Sequence, residues 1–203
     1  MFIDLTLNIQ SNRVKDLLQV QQSAAEAELP TAPAARPQYQ MEGHVGTHFD
    51  VMDKEFPLDS FKTTGKLVDI SGIRQREIEV HDLEPSNISA GDTVIFYTGY
   101  MDEFGYENRL YWKRSAELSD AAVSYLISKR IRLIAVDAAG AQKPTKHQHV
   151  DQQCADHGIF IVENLDNVKA LRDRPNGPFT VYTAPLKRSG LTGLPCRVIV
   201  EIA

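Results

Sequence analysis

Residues 119–136 read SDAAVSYLISKRIRLIAV, and the hydrophobic spacing changes once along them. Ala122, Val123, Leu126 and Ile127 share one helical face, and Ser119 supplies a side-chain oxygen suited to an N-cap, so a helix through Ser128 is predicted. From Ile131 to Val136 the pattern becomes an apolar run, uninterrupted from Leu133 onward, as in a strand buried on both faces. A second unit of the same order is predicted from a helix near His149 to His157, through Gly158, into a strand Ile159 to Val162 with Glu163 at its carboxyl end. A helix leading into a buried strand, twice over, places the chain in the mixed α/β class.

Further strands are expected at Phe2 to Leu7, Gly65 to Ile70, Glu77 to Val80, Thr93 to Tyr97 after the turn Ala90-Gly91-Asp92, Phe179 to Thr183 and Arg197 to Ile202. Asn12 to Ala27 carries Val14, Leu17, Leu18 and Ala25 among good helix formers and is read as a helix. It runs into PTAPAARP (30–37), whose three prolines mark a loop, either a lid or an oligomer contact. No internal repeat is present. Asp137 and Glu163 each follow an apolar strand directly, where α/β proteins tend to build sites.

The length of 203 residues suits one domain spanning 1–203. Cys154 and Cys196 lie far apart, which offers neither a disulfide framework nor a thiolate zinc knuckle and fits a reducing, cytoplasmic setting. The first residues lack a signal-peptide pattern, and no stretch is apolar enough to span a membrane. The 27 acidic residues outnumber 22 scattered basic ones, a net charge of -5, so neither nucleic acid nor a membrane is the expected partner.

The densest chemical signal is His44-Val45-Gly46-Thr47-His48-Phe49-Asp50. Two imidazoles and a carboxylate are donors that zinc or manganese accepts. A straight helix would turn Asp50 roughly 240° from His44. A straight strand would hold the two histidines roughly 13 Å apart. A bend at Gly46-Thr47 removes the conflict, because glycine adopts dihedrals closed to other residues while His48 and Asp50 stay on one side of an extended piece.

His44-x-Gly46-Thr47-His48-x-Asp50 resembles the signature of the putative cyclase family, metal-dependent hydrolases that include bacterial kynurenine formamidase and isatin hydrolase. The resemblance extends to Ile3-Asp4-Leu5-Thr6, to Thr93 to Tyr100 with Tyr100 at the family's tryptophan, to Glu163-Asn164-Leu165, and to Gly193 to Val198. It implies a swivelling β/α/β fold with a mixed sheet packed by helices, a homodimer or higher homo-oligomer, and a divalent cofactor, commonly zinc, with manganese as the alternative and one or two ions per chain. It also implies His44, His48 and Asp50 as ligands of the first ion, Asp50 bridging, and Glu163 on a second.

Three positions depart from the family pattern. Where it continues x-Pro-x-His after the aspartate, this chain has Met52 and Lys54. Where it places a histidine twelve residues before the glutamate, this chain has Asp151, with His147 and His149 nearby. One expectation is that Lys54 replaces the second cation, paired with Asp151 and Glu163; the other is that Asp151 ligates a second metal directly. The activity implied is hydrolysis of a small amide, formamide, lactam or ester by metal-activated water, with Lys54, Glu163 and Asp151 as catalytic candidates. A catalytically inactive metal-binding homologue is the alternative.

Overall fold

The computed structural model of the protein describes residues 1–9, 18–21, 38–41, 43–106, 108–174 and 177–202. The chain opens with β1 (Phe2–Asp4), followed by β2 (Leu18–Gln21) and β3 (Gln38–Met41), which pair antiparallel as a separate two-stranded ribbon. Within the expected helix Asn12 to Ala27, residues 18–21 are therefore strand; the rest of that stretch and the proline-rich 30–37 lie outside the described residues.

The main sheet is built from β4 (His48–Asp50), β5 (Lys62–Asp69), β6 (Thr93–Tyr97), β7 (Leu133–Val136), β8 (Phe160–Glu163), β9 (Phe179–Pro185) and β10 (Gly193–Ile202). β5, β6, β7 and β8 run parallel to one another. β4 pairs antiparallel with β8, and β9 with β5. The long β10 closes the ring: Gly193–Pro195 pair with β4, Cys196–Ile202 with β9, and β1 extends the β4 side of β10. The result is a closed, seven-stranded mixed barrel-like sheet packed by helices, in line with the mixed class read from residues 119–136.

The helices are α1 (Val80–Leu83), α2 (Tyr100–Phe104), α3 (Asp120–Ser128), α4 (His147–Asp156) and α5 (Val168–Arg172). Ser119 caps α3 as expected, its hydroxyl oxygen accepting from Ala122 N at 3.1 Å. The period-two geometry of the central strands explains their unbroken apolar runs. Val94, Phe96, Ile134, Val136 and Ile161 point to one face and pack with Ala122, Val123, Leu126, Val150 and Cys154 of α3 and α4. Ile95, Leu133, Ala135, Phe160 and Val162 point to the other, where they meet Phe49, Val181, Val198 and Val200 across the closed ring. Each Val, Leu, Ile or Phe among them, fully buried, contributes about 1.5–3 kcal/mol.

One expected strand is corrected. Glu77 to Val80 forms only a single bridge, Ile78 to Leu118, and the chain then turns into α1. Among the described residues no helix is long and apolar enough to cross a membrane.

Candidate metal centre

β4 delivers the first donors. His48 and Asp50, two residues apart on a strand, face the same way, and the register with β8 sets His48 directly opposite Glu163. Gly46 has φ +66°, and a Cβ there would lie 2.5 Å from Ile9 Cδ1. This is the anticipated bend, and it brings His44 Nδ1 to 3.2 Å from His48 Nε2 and 3.1 Å from Asp50 Oδ1.

The bend is held from several sides. Gly46 N donates to the Tyr106 hydroxyl at 2.8 Å, Asn164 Nδ2 donates to Gly46 O at 3.1 Å, and the Thr47 hydroxyl donates to Asn164 O at 2.7 Å while accepting from Leu7 N. Tyr111 in turn donates to Asn164 Oδ1 at 2.7 Å. His48 Nδ1 lies 2.9 Å from Gly46 O. Donation from Nδ1 leaves the Nε2 lone pair facing Asp50 Oδ1 at 3.3 Å and Glu163 Oε2 at 3.6 Å, the tautomer a metal ligand needs.

α4 supplies the other half. His147 and Asp151 are one helical turn apart and share a face; His147 Nε2 lies 3.0 Å from Asp151 Oδ2 and 3.2 Å from Glu163 Oε1. Two groups of donor atoms result, His44, His48 and Asp50 in one, and Asp50, His147, Asp151 and Glu163 in the other, each with its atoms within 4.8 Å of one another. Asp50 belongs to both.

His48, Asp50, Asp151 and Glu163 are all buried, whereas the side chains of His44 and His147 are 48% and 28% exposed, so solvent reaches the cluster along those two. Burial works against an imidazolium at His48, but the charges of Asp50 and Glu163 outweigh it and lift its pKa to about 9. The Asp151 and Glu163 carboxylates that face its Nε2, working against burial, lift His147 to about 11. Burial opposes ionisation of Asp50, yet His48 and His44 hold it below the usual carboxylate range.

Both Asp50 oxygens, Asp151 Oδ1 and Glu163 Oε1 are buried without a hydrogen bond of good geometry. Among the described residues no lysine or arginine pairs with these three carboxylates. Stranded anionic oxygens beside convergent imidazoles are an arrangement that a divalent cation satisfies.

The sequence profile of the family described as Putative cyclase matches residues 3–143. The chain belongs to the Putative cyclase family. No curated protein sequence matches it. Among solved structures it resembles a potential metal-dependent hydrolase with cyclase activity (24% identity, covering 98% of this chain and 96% of that one, TM-score 0.72). It also resembles a predicted metal-dependent hydrolase from Bacillus stearothermophilus (22%, 98% and 97%, 0.69) and isatin hydrolase A from Labrenzia aggregata (18%, 100% and 93%, 0.74). At these identities the likeness establishes a shared fold over nearly the whole chain.

Of the site residues that the family resemblance implied, the structure brings together His44, His48, Asp50, Asp151 and Glu163. Lys54 stands apart. Its Nζ lies 2.8 Å from both Asp53 Oδ1 and Asp156 Oδ1 on the outer surface, so the expected pairing with Asp151 and Glu163 is not found. The reason is local: Lys54 N bonds to Val51 O in a turn just after β4, and its ammonium is held there by the Asp53 and Asp156 carboxylates. His147 occupies the place between Asp151 and Glu163, while His149 is exposed.

Asp137, which directly follows β7, clamps the end of β6. Its oxygens accept from Thr98 N, Thr98 Oγ1 and Gly99 N at 2.6–2.8 Å. His81 is exposed. Tyr106, Tyr111 and Trp112 pack together beside the Gly46 bend, Trp112 edge to face with both tyrosines and its ring centroid 4.7 Å from that of Tyr106. Sequence reasoning did not assign positioning roles to Tyr106, Tyr111, Asn164, Thr192 or Gly193. The Glu163-Asn164-Leu165 and Gly193 to Val198 matches were the available signals for Asn164 and Gly193.

Proposed function

We propose that this cyclase-family chain is a metal-dependent hydrolase acting on the carbonyl of a small amide, formamide, lactam or ester. His44, His48 and Asp50 hold one divalent ion, zinc in the first instance, and Glu163 is carried over as a ligand of a second. The observation that supports this best is the set of buried oxygens of Asp50, Asp151 and Glu163 that lack a hydrogen bond of good geometry and face imidazole nitrogens, with the cluster open to solvent at His44. A closed set of four buried ligands would suit a structural ion; half-exposed His44 leaves room for a reactant.

A divalent ion held there polarises a carbonyl and lowers the pKa of water towards about 7. The protein's own part is to fix that ion and manage the proton. Gly46 O and the Asn164 amide orient His48, and the Thr192 hydroxyl, 2.8 Å from His44 Nε2, orients His44. A carboxylate has two oxygens, so Asp151 or Glu163 can accept the proton from water and return it to the leaving group. Lys54 faces the wrong way to do so directly. Its departure from the cluster is the observation that favours the second reading, an inactive homologue that keeps its ion. The closed sheet with helices packed on it suits the swivelling β/α/β arrangement carried over from the family, and a cytoplasmic homo-oligomer is carried over with it.

The test joins metal content and turnover on one sample. Wild-type protein is expected to carry at least one divalent ion and to hydrolyse one class among N-formyl anilines, lactams and small esters, and His48→Ala to lose both. Full metal occupancy in His48→Ala would refute the ligand assignment, and a fully loaded wild type inert across the panel would favour the inactive homologue.

A further inference from the structure

We propose that His147 is the nitrogen donor of a second, carboxylate-rich metal position in this chain, formed with Asp50, Asp151 and Glu163, and that this position favours a six-coordinate ion such as Mn²⁺. The inference rests on the hydrolase reading and deepens it, because it gives the two halves of one cluster different ion preferences.

The argument starts from the helix. Position 151, where the family pattern has histidine, holds a carboxylate, and an imidazole four residues earlier returns to the same face of α4. His147 Nε2 faces Asp151 and Glu163 at 3.0 and 3.2 Å, so the nitrogen lost at 151 is regained one turn upstream. Gly140 makes room for it: a Cβ there would lie 2.5 Å from His147 Nδ1. The acidic cluster does not stand alone as evidence, since Asp151 Oδ1, Glu163 Oε1 and both Asp50 oxygens are buried and receive no hydrogen bond of good geometry.

The donor count then separates the two positions. His44, His48 and Asp50 offer two nitrogens and one oxygen, a set that suits zinc and leaves its fourth position open. Asp50, His147, Asp151 and Glu163 offer one nitrogen and three oxygens. Four protein donors saturate a tetrahedral zinc ion, but they leave two positions free on an octahedral one, and carboxylate-rich sets are those manganese accepts. Zinc outcompetes manganese at most mixed sites when both are abundant. The selectivity therefore shows when zinc is limiting.

The full chain is stripped with chelator, given one equivalent of Zn²⁺, then titrated with Mn²⁺ while electron paramagnetic resonance follows loss of the free-ion signal. Expected is uptake of about one Mn²⁺ per chain, by the donor count above. His147→Ala and the bulkier His147→Gln, each checked for folding by circular dichroism, should weaken that uptake by roughly 100-fold while still binding the first zinc. His44→Ala should weaken zinc and spare manganese. Mn²⁺ uptake unchanged in both His147 variants, or blocked by a single equivalent of zinc, would overturn the assignment. A wild-type chain that binds neither ion overturns the hydrolase reading as well, whereas zinc uptake without manganese overturns this one alone.

Discussion

His44 stands on Gly193: a Cβ built there would lie 2.8–2.9 Å from Cε1, Cδ2 and Cγ of the imidazole. The ring would have to shift by several tenths of an ångström, and its Nδ1 would leave the point it shares with His48 Nε2 and Asp50 Oδ1. Gly193→Ala is therefore expected to lower affinity for the first ion by about 10-fold or more, the range for disturbing a ligand's support. The half-exposed ring has room to swing, so stability without metal should fall by about 1 kcal/mol or less, within the range for mild overpacking. Chelator-competition titration reads the first quantity and urea unfolding the second; unchanged affinity would mean that His44 is not a ligand. This dependence was hidden in the sequence, because strand pairing across 149 residues decides what lies under His44. The three nearby donors were legible because seven consecutive residues contain them, and the bend they require falls on a glycine with φ +66°. His147 was named beside His149 without a choice between them, since the side on which each ring emerges depends on where α4 begins.

Helix α1, at four residues, is too short to sustain itself, and contacts at its ends hold it. Asp82 reaches back to accept from Glu79 N at 2.8 Å and takes two hydrogen bonds from the Arg76 guanidinium at 2.6 and 2.7 Å. Those Arg76 hydrogen bonds, working against burial, hold the Asp82 carboxyl down to about 2. Its folded pKa lies below the unfolded one, so the stability it contributes is fully present above the ordinary carboxylate range and is lost as pH falls through about 2. Asp82→Asn should cost about 1 kcal/mol near neutral pH, the scale of a lost cap and a partly exposed ion pair. The gap from wild type should close as pH drops from about 4 towards 2, and narrow in about 0.5 M salt, where charges are screened. Urea denaturation of both proteins across that range checks it; a gap independent of pH would show that Asp82 acts through packing. The sequence reading placed a strand at Glu77 to Val80 because Ile78 and Val80 alternate with polar residues. Asp82, three positions after Glu79, was the contrary signal and marks a helix start. The same boundary difficulty, two residues at the start of α4, kept His147 off the predicted helix, whereas the buried strands β6, β7 and β8 were legible because few other structures tolerate such runs.

The donor cluster draws on separate parts of the chain that the ring of strands brings close. His44 to Asp50 lead into and form β4, His147 and Asp151 belong to α4, and Glu163 ends β8. Without a cation, three buried carboxylates share a space whose only compensation among the described residues is imidazole. This repulsion opposes the folded state, and an ion that binds only the folded chain removes it. By mass action, free metal at about 1,000 times its dissociation constant adds about 4 kcal/mol to stability. At roughly 2–4 °C per kcal/mol for a chain of this size, the melting temperature should rise by about 8–16 °C. Calorimetry of chelator-treated protein, with and without added Zn²⁺, measures the shift. Asp50→Asn is the informative comparison: it removes the carboxylate common to both donor groups and so deprives both ions of a ligand. Because His48 and His44 hold the Asp50 carboxyl below its ordinary range, the metal-free variant should melt below metal-free wild type, and it should gain little on metal addition. A large gain in that variant, equal to wild type's, would place the stabilising ion somewhere other than between β4, β8 and α4.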